Sequence, residues 1–212
     1  MRARPTARKS LAAVAVATLV ALPLTGCSFG GGAPKPVASI SALSGRTTSI
    51  KLDKGFAAAL TKLKLTPGVV GRGRLAKGSL IFPITGGNVT VFKPGEVSPY
   101  VIGQIQHVGS GFSLSAGGTK VSLTNFNVDP GISRVYGNVS VTGKAAATSA
   151  YLFSLNGRTL KPLSTKGNTA TLQGTEVKIS PVAASLLNKT FGTKAVKPGL
   201  LVGIATIIVK VK

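Results

Sequence analysis

Short runs of β-branched and apolar residues, separated by Gly, Pro, Asn or Asp, recur from residue 47 to residue 211, and no other feature limits the fold as much. Strands need only four to eight residues, whereas helices need ten or more without such breaks, so the spacing predicts many strands and few helices. Strands are expected at 49–52, 79–84, 88–92, 100–107, 112–116, 120–126, 133–142, 150–155, 169–172, 176–179 and 203–211. Gly86-Gly87-Asn88, Ala116-Gly117-Gly118 and Leu155-Asn156-Gly157-Arg158 read as hairpin turns, because Gly and Asn accept positive φ most readily. The expected fold is mainly β: a two-layer antiparallel β-sandwich with two short α-helices.

The two helices come from segments that break the pattern. In DKGFAAALTKLK, Asp53 supplies an N-cap, and Phe56, Leu60 and Leu63 fall at helical spacing. In SPVAASLLNKTFG, Ser180 is the N-cap, Pro181 takes the first helical position and Gly192 lies just past the end. Each follows a strand. IKLDKGFAAALTK from Ile50 aligns with VKISPVAASLLNK from Val177 at an offset of 127 residues, which predicts two related strand-cap-helix corners.

At the N-terminus, Arg2, Arg4, Arg8 and Lys9 precede an uncharged stretch of 14 residues from Leu11 to Leu24, the pattern of a secretory signal peptide. Such a stretch falls short of the roughly 20 residues that a membrane-spanning helix needs. It ends at Leu24-Thr25-Gly26-Cys27, which resembles a bacterial lipobox, and Cys27 is the chain's only cysteine. The resemblance implies cleavage before Cys27 and diacylation of its sulfur. An acyl thioether would remove a thiol that export otherwise exposes to oxidation. Two or three acyl chains, at ~0.8 kcal/mol per buried methylene, make a stable anchor. The expected organisation is a lipoprotein signal peptide over 1–26, a lipidated N-terminus and flexible linker over 27–45, and one domain over 46–212. That places the domain on the outer face of a bacterial cell membrane.

Four of the 26 basic residues lie in the leader, so 22 remain against Asp53, Glu96, Asp129 and Glu176, a formal charge of +18. A charge of that size attracts anionic partners over about a Debye length. Outside a bacterium those are lipid headgroups, wall polymers and acidic glycans; nucleic acid is not expected. With no second cysteine, no disulfide braces the domain, and its hydrophobic core must hold it.

Catalysis finds few parts here. General acid and base work draws on His, Asp and Glu, and the exported part offers one His and four acids spread along the chain. Gly71-Arg72-Gly73-Arg74-Leu75-Ala76 matches a loose dinucleotide fingerprint but follows a helix and leads into a strand, where the fingerprint requires strand, turn and then helix. No Gly-x-Ser-x-Gly elbow and no metal-ligand spacing of Cys and His occurs. The expected role is therefore non-catalytic, with no metal and no resident cofactor required by the residues themselves.

The candidate ligand-binding side chains are His107, Tyr100, Tyr136 and Tyr151. Strand alternation puts Gly103, Ile105 and His107 on one face, with His107 half-exposed at a strand end beside a Gly-rich turn. The tyrosines lie within strand-like runs and should be half-buried with a solvated hydroxyl.

GSLIFPITGGNV at 78–89, IGQIQHVGSGFSLSAGG at 102–118 and VSLTNFNVD at 121–129, with Leu187, Asn188, Phe191 and Gly192 at the late helix end, resemble exported β-rich domains of high-GC Gram-positive bacteria. These in turn are similar to HtaA-type domains, the haem-binding modules of surface haem-uptake proteins. The resemblance implies a two-sheet antiparallel fold with two helices, and haem as a ligand. In those domains a Ser-Phe-x-x-Tyr helix supplies the iron-ligating Tyr and a Gly-His pair assists it. Phe56 matches the Phe, but Ala59 stands at the Tyr position, and Gly109-Ser110 stands at the Gly-His position. Fold is carried over from the resemblance; the alternative to a general envelope-associated binding or structural role is a module of a haem-uptake system that binds haem or another small ligand, with a hydrolytic enzyme built on His107 and Asp53 or Asp129 as the lesser reading.

Overall fold

The computed structural model describes residues 33–211; the leader, the lipobox with Cys27, and Lys212 lie outside them. The compact unit begins at Pro34, before residue 46. Within the expected linker, β1 (Ala38–Ile40) pairs with β6 (Gly86–Val91), and Leu43 joins the core.

Eleven further strands follow in chain order: β2 (Thr47–Leu52), β3 (Thr66–Gly71), β4 (Arg74–Ala76), β5 (Ser79–Pro83), β7 (Val101–Ala116), β8 (Thr119–Asp129), β9 (Arg134–Val141), β10 (Lys144–Asn156), β11 (Ser164–Lys166), β12 (Thr169–Ile179) and β13 (Leu201–Lys210). They form one antiparallel sheet in the order β1-β6-β7-β8-β9-β10-β12-β13-β2-β5-β4, with β11 added on β12 and β3 on β7. The sheet curls so that strands far apart in this order face each other. Phe82 of β5 packs edge-on against Phe126 of β8 with ring centroids 5.1 Å apart. The fold is thus the expected mainly β, antiparallel, sandwich-like one, with its layers made by a single curled sheet.

Helix α1 (Lys54–Lys62) starts where Asp53 Oδ1 accepts hydrogen bonds from the Gly55 and Phe56 amides, and it buries Phe56 and Leu60. Helix α2 (Pro181–Phe191) starts at Ser180, whose Oγ accepts from the Ala183 amide and donates to the Tyr151 carbonyl; it ends at Gly192 with φ 62°. The two strand-cap-helix units flank one strand, since β12 and β2 pair with opposite edges of β13.

Two long strands replace expected pairs of short ones. The tract Val108-Gly109-Ser110-Gly111 reads as a turn, yet β7 runs through it as a bulge: pairing with β8 steps from His107↔Phe126 to Gly111↔Thr124. The two extra residues of β7 are held by the Asn125 side chain, which accepts from the Gly109 amide at 2.8 Å, and by Arg72, whose amide donates to the Gly109 carbonyl. β12 likewise passes through Gly174, where φ is 108° and pairing with β13 shifts register. Gly86-Gly87-Asn88, expected as a hairpin turn, lies inside β6. There, Gly87 adopts φ 113° because its backbone approaches the Gln104 carbonyl too closely for a Cβ.

Arg72 and Gly73 connect β3 to β4 directly, so no helix follows the 71–76 glycines and the fingerprint geometry does not arise. Among the described residues, no helix is long and apolar enough to cross a membrane.

Candidate functional site

The inward faces of β2, β5, β7 to β10, β12 and β13 leave a cavity of about 690 Å³ between the layers. Its wall is dominated by apolar side chains, with Phe82, Phe112, Phe126 and Phe153 among them. At one end the lining passes to solvent-exposed loop residues, Gly95, Glu96, Gly157 and Arg158, and there the cavity opens.

Two of the four candidate side chains line this cavity. His107 is 1% exposed, in the middle of β7 and in the same inward phase as Val101 and Ile105. The face follows the expected alternation; the expected half-exposed strand end does not, because β7 continues past His107 and the opposite layer covers it. Its Nε2 lies 2.8 Å from Thr48 Oγ1 on β2, and its ring meets Phe82 edge-on at 6.3 Å. Nδ1 has no hydrogen-bond partner. Burial pushes the imidazole down to a pKa of about 4, outweighing the carbonyls of Phe126 and Ile105, so the ring is neutral at physiological pH.

Tyr100 lies at the open end, half-buried, with its hydroxyl donating to the Leu160 carbonyl at 3.3 Å; burial raises its pKa. Tyr136 and Tyr151 lie outside the cavity lining. They are cross-strand neighbours on β9 and β10 with rings 6.0 Å apart. The Arg134 guanidinium sits 4.7 Å from the Tyr151 ring centroid and donates to the Tyr136 hydroxyl at 3.4 Å. That grouping is a cation–π cluster rather than a part of the cavity site.

Thr48 and Arg158 were not singled out by sequence reasoning. Thr48 carried a signal: it shares the inward phase of Ile50 in a strand, where a polar side chain needs a partner. Arg158 carried none, being one of many exposed bases. At the positions where the resemblance puts haem chemistry, Ala59 has only a methyl group, and the buried Ser110 hydroxyl donates to the His107 carbonyl at 3.0 Å. The apolar cavity lies within the usual 300–1,000 Å³ of ligand sites and fits a haem-sized group by volume and lining, while His107 Nδ1 is wholly buried and presents no surface to it. No cluster of three or more metal-ligating side chains occurs among the described residues.

Fold and cavity define an antiparallel β domain built around an internal apolar chamber. Among solved structures it is similar to the C-terminal domain of HtaA from Corynebacterium glutamicum, with a TM-score of 0.54 at 11% identity over 80% of this chain and 98% of that one. It is also similar to the heme binding protein HtaB of that organism (TM-score 0.46, 9% identity, 82% and 96% covered) and to the N-terminal domain of HtaA (0.44, 10%, 82% and 99%). At 11% identity the likeness to the C-terminal domain of HtaA is one of fold. No family model matches the chain, and no curated protein matches it.

Proposed function

We propose that this domain is a non-catalytic binding module that holds a haem-sized apolar ligand inside the sandwich, tethered to the outer face of the membrane by lipid on Cys27. The observation that carries the proposal is the apolar cavity of about 690 Å³ between the layers. An empty apolar chamber forfeits dispersion contacts, which a bound ligand restores.

Haem is the ligand favoured by the sequence resemblance and by the fold shared with the HtaA domain. Bound there, it would supply a metal centre. His107 would form part of the wall beside it, and the phenylalanines would exclude water around it. The scarcity of titratable groups supports binding over catalysis: the wall holds His107 and, at the open end, Tyr100, Glu96 and Arg158. The +18 charge of the exported part suits an anionic ligand or an anionic envelope around the domain.

Hemin titration of residues 34–212 followed by absorbance, at low and high salt, tests this reading. A saturable one-to-one Soret change that persists in high salt, changes in position with His107→Ala and disappears when Ala205→Phe fills the chamber is the expected result. A broad change that fades with salt would mean that hemin is collected by surface charge alone.

A further inference from the structure

We infer that Arg158 is the anion-recognising residue of the cavity, which takes amphiphiles whose apolar body lies inside and whose terminal carboxylate meets the Arg158 guanidinium at the mouth. This rests on the ligand-cavity reading above and adds the class of ligand to it.

Among the described residues, the lining includes two charged ones, Glu96 and Arg158. Glu96 is offset by Lys93 at 4.0 Å. Arg158 has no side-chain hydrogen bond or ion pair among the described residues, although a carboxylate lies in the same turn network. That carboxylate, Glu176, is occupied: its Oε2 accepts from Asn156 Nδ2 at 3.0 Å and pairs with Lys178 Nζ at 2.9 Å. The arrangement leaves Arg158 as the charged residue of the opening that has no counter-charge among the described residues.

The backbone under Arg158 is fixed even though its side chain is exposed. Gly157–Thr159 form a single 3-10 turn in which Asn156 Oδ1 accepts from the Arg158 amide at 3.2 Å. Thr159 Oγ1 donates to the Asn156 carbonyl at 2.8 Å and accepts from the Glu176 amide at 3.2 Å. The turn thereby holds Arg158 at the end of β10, beside the opening. An apolar interior cannot take an ionised group without a large cost, so a ligand's charged end must remain at the mouth. A guanidinium fork there donates two parallel hydrogen bonds to a carboxylate, a geometry that no lysine reproduces.

The test uses residues 34–212 in high salt with the neutral dye Nile red as the cavity probe. Two matched pairs compete for the site: palmitate against hexadecanol by dye displacement, and hemin against hemin dimethyl ester by absorbance. The acid should bind about three- to tenfold more tightly than its neutral counterpart in at least one pair, the range of a partly exposed charged hydrogen bond. Arg158→Gln should abolish that preference with Nile red binding unchanged, whereas Lys161→Gln, which removes a nearby base outside the lining, should leave it intact. A preference in the palmitate pair assigns an acyl carboxylate, and one in the hemin pair a porphyrin carboxylate. Equal binding of acid and neutral forms, or a preference that survives Arg158→Gln, overturns the assignment while the cavity reading stands. Nile red that does not bind, or that still binds to Ala205→Phe, defeats the cavity reading itself.

Discussion

His107 and Thr48 meet at 2.8 Å between Nε2 and Oγ1, although β7 and β2 are not neighbours in the sheet. Both residues are buried, at 1% and 5% exposure, so the contact is a polar tie between the two layers within an apolar chamber. No backbone ladder joins these two strands. Their separation is set by side chains, and this hydrogen bond is the directional element among them.

Removing the hydroxyl should therefore cost more than an exposed threonine would. Thr48→Val keeps the shape but leaves both nitrogens of the His107 ring unpartnered, so a loss of about 1–3 kcal/mol is expected. Urea unfolding measures it. In Thr48→Val combined with His107→Phe the two losses should be less than additive, because the second change removes the group that the first one orphaned. Additive losses would mean that the contact contributes nothing of its own.

The same burial makes stability depend on pH. His107 has a folded pKa of about 4 against about 6.5 in the unfolded chain, so between those values only the unfolded state takes up the proton. Its contribution is complete above about pH 6.5 and is lost as pH falls towards 4, by about 3 kcal/mol in total. Glu176 acts at a lower pH. The Asn156 hydrogen bond, then Lys178, lowers its pKa from 4.5, so its contribution is present above that value and lost below it. The urea midpoint of the parent should fall between pH 7 and pH 4.5, and that of His107→Leu should stay nearly level. Equal slopes for the two proteins would show that the ring is not held neutral.

Much of the local structure was legible because its signals are short-ranged. Asp53, Ser180, Pro181 and Gly192 bounded the helices, since caps act within one turn. The phase of Ile105 and His107 followed from alternation alone. What the sequence concealed was long-ranged. Gly109 and Gly174 read as breaks, whereas pairing partners on β8 and β13 carry the chain through them as bulges. The exposed start of β10, Lys144 to Thr148, lacks an apolar alternation and gave no strand signal; its pairing with β9 orders it. The burial of His107 and the place of Arg158 depend on which strands the curled sheet brings face to face, and no local pattern encodes that.

Gly103 gives a sharp test of the β6–β7 pairing. Its φ is 124°, and a Cβ there would overlap the Asn88 carbonyl oxygen on the paired strand. Gly103→Ala combines backbone strain with a clash against main-chain atoms, which cannot swing away, so a loss of about 3 kcal/mol or more is expected. Gly117→Ala is the control: its φ is also positive, at 53°, but nothing lies within 4 Å, so only the conformational cost of about 1 kcal/mol applies. Thermal unfolding of the two variants compares them directly, and equal losses would mean that the close approach of β6 to β7 is absent in solution.

The proposed lipid on Cys27 makes a prediction separable from the fold. Cys27 lies outside the described residues, seven positions before Pro34, where the compact unit starts. Cys27→Ser should leave unfolding of the domain unchanged while moving the protein from the membrane fraction to the medium. The short spacer matters here: seven residues reach at most roughly 25 Å, so an anchored domain stays near the bilayer. A charge of +18 then acts on anionic headgroups within a Debye length of about 8–10 Å of contact. Fractionation at two salt concentrations separates these contributions. Cys27→Ser retained at low salt and released at high salt would assign the residual binding to charge, whereas retention in high salt would show that acylation is not the anchor.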